Sequence, residues 1–472
     1  MSLPLSPSLL EETLRTVARR YRLPPMAVEV REANPATALA MVIEKAREAR
    51  SAGEAPDPAL MHCFIEALGQ MIREAMRPGS GDPAFQAMVL RHEAVQVREY
   101  ASLSSHADRD GRLIRTMVNA IAHPAKLQRL APGPQREGLA RLQGTLSSAS
   151  WSALSDSVRD LLALPEVLNS SLQPGLARLL GSPALERLRR LDALASDDLV
   201  RRYQSLWSRH APRSGSPTAV AQGSVSRQRG AAVEALAMQA IKALADRLNG
   251  EEGARAAYRV LTSMRVPASI PGSSHRAKSE WDVVLLRRPK AADTAAAWDV
   301  CLLVEAKASV DAAATDLPRL MRGLGLLAHA EENAVYAFRA QQGVVHLRGA
   351  SLSGLEGDEA GLARTVLYCC DAPAESTSRL LSAASRMQLL SAQASLEFAA
   401  GLAKQRSADV QGLEQVWHQL LESPRWSAVL HQYPMLRQAR ELMVHADDLM
   451  AAVRDAAEDG GVAGASPASP AR

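Results

Sequence analysis

The chain has 472 residues, more than one hydrophobic core accommodates, and a prior of roughly 100–200 residues per domain points to about three units. Hydrophobic residues make up 47% but aromatics only 4%, an Ala- and Leu-dominated composition that favours helix over sheet for most of the length. With 55 basic against 51 acidic residues the net charge is +4, which excludes the global footprint of a histone-like binder and leaves any nucleic-acid contact to a local patch.

Residues 1–210 repeat one theme: an Asp, Ser or Pro start signal, apolar residues at helical spacing, then a Pro or Gly break. Asp57-Pro58 leads into Leu60, Phe64, Leu68 and Ile72, and Asp82-Pro83 into Phe85, Met88 and Val95, so an all-α N-terminal region of eight or more helices is expected, without a fixed repeat period. Residues 211–226 (APRSGSPTAVAQGSVS) are rich in Pro, Gly and Ser and read as a linker. Residues 227–372 change pattern: one helix, Gly230–Leu248, then short runs rich in Val, Leu and Tyr at 258–266, 280–287, 298–306, 334–338, 344–348 and 365–370, with a helix near 317–330. This is an α/β unit. Residues 373–458 return to helical spacing, and 459–472 are Gly, Ala, Ser and Pro, a composition expected to be disordered.

The cysteines Cys63, Cys301, Cys369 and Cys370 have neither CxxC spacing nor His partners at zinc-like intervals, so no disulfide framework or zinc site is indicated. Acidic Glu11 and Glu12 near the N-terminus argue against a secretory signal, and no window approaches eighteen apolar residues, so a soluble, cytoplasmic protein without membrane contact is expected. The excess of Arg over Lys reads as the codon bias of a GC-rich bacterial genome. His106/Asp108 and His445/Asp447 have no nucleophile or second ligand at useful spacing and read as helix surface.

Two of the expected strands carry charge where a half-buried strand normally places hydrophobic residues: SEWDVVLLR (279–287) and WDVCLLVEAKAS (298–309). Strand side chains alternate, so Glu305 and Lys307 share one face. An antiparallel hairpin turning near Asp293 and Thr294 would set Asp282 across from Glu305, with opposed Cβ atoms about 4.5–5.5 Å apart. Two ionised carboxylates that close repel unless a cation lies between them, and hard oxygen donors suit Mg²⁺ or Mn²⁺.

Glu-x-Lys ending an apolar strand, an Asp on the neighbouring strand, and the upstream helix RQRGAAVEALAMQAI (227–241) with Gly230 four residues before Glu234 resemble the PD-(D/E)xK nuclease superfamily. Trp281 stands where that signature has Pro, and the resemblance covers only 227–372. It implies a multidomain α+β protein in which a restriction-endonuclease-like α/β core, a mixed central sheet flanked by helices, lies between two all-α regions. It further implies that Asp282, Glu305 and the carbonyl of Ala306 hold Mg²⁺ or Mn²⁺, that Glu234 assists through water or as a further ligand, and that Lys307 orients the attacking water and stabilises charge on the phosphate.

The chain has seven lysines, so one at position 307 is less readily an accident of composition. Between Arg255 and Lys290 eight basic residues face two acidic ones, and Arg276, Lys278, Arg287, Arg288 and Lys290 are the expected nucleic-acid contacts. DNA is the expected substrate, RNA remains open, and the helical regions offer surface for a protein partner. The alternative is a non-catalytic interaction or scaffold protein that carries an inactive nuclease-like domain.

Overall fold

A computed structural model of the chain describes residues 9–23, 34–148, 150–210, 217–252, 256–289, 297–355, 359–373, 379–404 and 409–462. They form two compact units. One is assembled from Met1–Leu68, Pro217–Gln388 and Trp417–Arg472, the other from Gly69–Ser216 and Leu389–Val416.

The first unit is mixed α/β. Its labelled helices are α1 (Leu9–Thr16), α2 (Pro217–Glu252), α3 (Val310–Leu327), α4 (Gln432–Glu441) and α5 (Ala446–Val462). Its strands are β1 (Ala256–Arg265), β2 (Glu280–Pro289), β3 (Asp299–Ala306), β4 (Val335–Ala340), β5 (Gly343–Arg348), β6 (Val366–Cys370) and β7 (Met443–His445). The sheet order is β5-β4-β1-β2-β3-β6-β7. β1, β2 and β3 form an antiparallel meander, whereas β6 lies parallel to β3 and β7 parallel to β6.

The central strands are covered on both faces, which is why they read as near-continuous apolar runs. On one face Val283, Leu285, Leu302, Val304, Leu367 and Cys369 meet Ala237, Ala240, Ile241, Leu244 and Leu248 of α2, a stripe at helical spacing. On the other, Val284, Leu286, Leu303 and Val366 meet Leu317, Leu320, Leu324 and Leu327 of α3.

Three sequence boundaries are corrected. Residues 217–226, expected as linker, are the start of α2: Pro217 suits the first turn of a helix, and Ala, Gln and Ser tolerate one, so only Gly223 opposes it before Gly230. Residues 211–216 lie outside the described residues. Residues 9–23, expected in the all-α region, pack on the sheet unit: Leu14 and Val17 join the α2-side core, Tyr21 OH donates to Ala372 O at 2.5 Å, and Arg20 pairs with Asp448. Third, 373–458 is not a separate helical region, because β7 extends the sheet beside β6. Of the tail expected to be disordered, 459–462 continue α5 and the rest lies outside the described residues. His445, expected on a helix surface, is buried at the end of β7, where its Nδ1 accepts the Asp447 amide at 3.2 Å.

The second unit contains helices joined by turns and no strand among its described residues. Asp82 caps the helix Pro83–Glu93 by accepting the amides of Ala84 and Phe85, and Ile114, Val118, Leu142, Leu154, Val158 and Leu188 form a core between later helices. Buried Asp110 accepts from Nε and Nη2 of Arg187, both at 2.7 Å, and that pairing lowers its pKa. No helix among the described residues is long and apolar enough to cross a membrane.

Candidate active site

The pairing of β2 with β3 sets the two carboxylates opposite each other. Val283 pairs with Val304, Val284 with Leu303 and Leu285 with Leu302, the register that places Asp282 across from Glu305. A bulge between Leu285 and Leu286 shifts the pairing only beyond this point, so it leaves the site end untouched. The carboxylates are locked crosswise. Ala306 N donates to Asp282 Oδ2 at 2.9 Å, and Asp282 N approaches Glu305 Oε1 at 3.4 Å.

Lys307 follows the last residue of β3, and its amide donates to Cys369 O at 2.9 Å, tying the strand's exit to β6. Ser309 then caps α3, its Oγ accepting from Ala312 N at 3.2 Å. This short exit points the Lys307 ammonium back to Glu305 Oε2 at 3.1 Å and forward to Asp316 Oδ2 of α3 at 3.4 Å. Tyr368 OH of β6 donates to the same Asp316 oxygen at 3.3 Å. The site therefore sits where β3 and β6 end, the place where parallel strands open a crevice for ligands.

Glu305 is fully buried, and a second ammonium, that of Lys278, lies 2.5 Å from its Oε2. Burial first, then the nearby Asp282 carboxylate, push Glu305 up to about 7 against the pull of Lys278 and Lys307. For Lys307 burial acts downward, but Glu305, Asp316 and Asp282 outweigh it and hold its pKa above the ordinary value, so the ammonium keeps its proton. Glu234 projects from α2 as an exposed residue, and partial burial of its carboxylate and the charge of Asp282 raise its pKa. The sequence-predicted Asp282, Glu305, Ala306, Lys307 and Glu234 thus belong to one neighbourhood. Gly230, four residues before Glu234, has nothing within 4 Å of where a Cβ would stand, so packing does not explain a glycine there.

The expected nucleic-acid contacts fare differently. Lys278 is only 4% exposed, inside the site rather than on a binding surface. Arg287 and Arg288 lie five and six residues along β2 from Asp282, about 17–20 Å away at strand rise, with the Arg288 guanidinium stacked 4.8 Å over Trp298. Arg276 is exposed in the loop before β2, and Lys290 lies outside the described residues. Sequence order made these residues neighbours, but an extended strand separates Arg276 and Lys278 from Arg287 and Arg288.

Asp316 and the role of Lys278 were not legible in the sequence. Asp316 sits among ordinary helix charges. Tyr368 did carry a signal, since a Tyr inside the buried run VLYCC needs a partner for its hydroxyl.

Asp282 and Glu305 suit a hard divalent cation. They are two carboxylates in one place, Asp282 raising the cost of ionising Glu305, and Asp282 Oδ1 accepts no hydrogen bond among the described residues. No three His, Cys, Asp or Glu side chains among those residues converge on one point, so water and the Ala306 carbonyl would complete such a shell. No family model, no curated protein and no solved structure matches this chain.

Without divalent ions, stability should depend on pH through Glu305. Its ordinary value is 4.5 and its folded value about 7, so between the two the folded chain binds the extra proton. This group's contribution to stability therefore falls as pH rises through that window and is constant above it. Thermal melts in EDTA at pH 5 and pH 7.5 should show a steeper loss for the wild type than for Glu305→Gln. Equal slopes would mean that Glu305 is not the titrating group.

Proposed function

We propose that this chain is a metal-dependent nuclease of the PD-(D/E)xK type, hydrolysing phosphodiester bonds of DNA. The observation that carries the reading is the register of β2 on β3, which sets Asp282 against Glu305 with the Lys307 ammonium 3.1 Å from the Glu305 carboxylate. The helix-meander-helix-strand order from α2 to β6, with β6 parallel to β3 and a β4–β5 hairpin inserted, supports a restriction-endonuclease-like core.

In hydrolysis a water oxygen bonds to phosphorus while the bond to the leaving sugar oxygen breaks, and that oxygen takes up a proton. Asp282, Glu305 and the Ala306 carbonyl would hold a divalent cation, which would supply Lewis acidity and charge neutralisation at the phosphoryl oxygens. Lys307, held protonated by three carboxylates, stabilises the negative charge that develops on the phosphoryl oxygens and is poorly suited to act as the base. Glu234, an exposed carboxylate whose pKa is raised by partial burial and by Asp282, would receive the water's proton through solvent. The exposed part of α2 just before it carries Arg227 and Arg229 and no acidic residue from 217 to 233, which suits a phosphate backbone better than the far end of β2.

Purified protein incubated with plasmid, linear and single-stranded DNA should cleave with Mg²⁺ or Mn²⁺ and stop with EDTA. Cleavage that persists in EDTA, or no cleavage of any DNA, would sink the assignment, and cleavage of RNA alone would correct the substrate.

A further inference from the structure

Lys278 takes no part in the hydrolysis set out above, yet it is tightly built into the site. It is 4% exposed, reaching in from the loop before β2 with its ammonium 2.5 Å from Glu305 Oε2 and 5.7 Å from the centroid of the Trp281 ring. Its amide donates to Arg319 O of α3 at 3.2 Å. Gly323 of α3 makes the approach possible, because a Cβ there would come within 2.7 Å of Lys278 Cβ. A lysine meant for substrate would stay in water, whereas this one is desolvated against a single carboxylate oxygen.

The two oxygens of Glu305 are thereby unequal. Oε2 carries both ammonium groups, while Oε1 has the long 3.4 Å approach of the Asp282 amide. Oε1 faces Asp282 and carries neither ammonium, so it is the oxygen left to a cation shared with Asp282, whereas a second cation on Oε2 would stand beside two fixed positive charges. We propose that Lys278 is a positioning residue that holds Glu305 by Oε2 and fills the place of a second divalent ion, so that the site takes one such ion only. The inference rests on the metal-dependent reading above.

Two measurements on the full chain test it, neither using activity. Titration with Mn²⁺, followed by calorimetry or electron paramagnetic resonance, should count one ion per wild-type chain. Two ions of similar affinity would overturn the inference and leave the nuclease reading standing, while no uptake at millimolar Mn²⁺ would remove both. Thermal melts then compare Lys278→Gln and Lys278→Arg with the wild type, in EDTA and in Mn²⁺. Lys278→Gln should melt about 5 °C or more lower in EDTA and gain more from Mn²⁺ than the wild type does, because the ion then replaces a missing charge. Lys278→Arg should restore both values. Equal Mn²⁺ shifts in wild type and Lys278→Gln would show that Lys278 only packs. If Lys278→Gln folds in neither buffer, the ion counts of the wild type and Lys278→Arg decide: one each supports the inference, two overturns it.

Discussion

Lys307→Ala should lower the single-turnover rate of DNA cleavage by about 10²–10³-fold, the usual loss when one preorganised donor to a developing oxyanion is removed. The fold should survive. Glu305 keeps the Lys278 ammonium and Asp316 keeps the Tyr368 hydroxyl, so neither carboxylate is left without a partner. Cleavage rate and thermal melt must be read together. A variant with full rate and a normal melt would show that Lys307 only balances charge at the end of β3. A lost rate with a normal melt is the expected result.

Gly349→Ala should destabilise the α/β unit by about 3 kcal/mol or more, because overpacking against backbone cannot be relieved by a rotamer change. Gly349 follows β5, and its amide donates to Ala334 O at 2.7 Å. A Cβ there would stand 1.8 Å from Glu331 O and 3.0 Å from Ala334 O, so the whole turn leading into β4 would have to move. Gly230 is the control. Its surroundings are open, and Gly230→Ala in the body of α2 should be neutral or stabilise by roughly 0.5–1 kcal/mol. Urea unfolding of both variants checks the contrast, and a Gly349→Ala loss under about 1 kcal/mol would mean that this turn is far softer than its contacts imply.

The sheet core was largely readable because its strands are buried on both faces and so appear as dense apolar runs; β1 to β6 fall within one or two residues of the runs at 258–266 through 365–370. The facing of Asp282 and Glu305 was readable for a related reason. A slip of one residue would turn Val283, Leu285 and their partners away from α2, so the hydrophobic pattern constrained the register. What stayed hidden depends on tertiary contact. β7 is three residues between two helices, too short to show any period, and α1 looks like every other amphipathic helix until Leu14 and Val17 find the sheet unit. The basic stretch failed because charge was counted along the chain rather than in space, and β2 carries Arg287 and Arg288 away from the carboxylates. Lys278 carried no local signal at all, since nothing around it in sequence distinguishes a buried lysine from a solvated one.

The position of β7 has a consequence for how this protein is made. Its pairing partner β6 ends at Cys370, and the chain must then complete residues 371–442, including a stretch that belongs to the other unit, before Met443 arrives. Until then the run VLYCC, buried along its whole length in the finished sheet, presents a bare parallel edge, and such an edge is a template for pairing with another chain. A polypeptide stalled or clipped in that interval would hold Asp282, Glu305 and Lys307 and yet be prone to aggregate. Non-local closure of this kind is also slow. Translation past His445 is thus the point at which the β6 edge is first covered, and residues 227–372 expressed alone would never reach it.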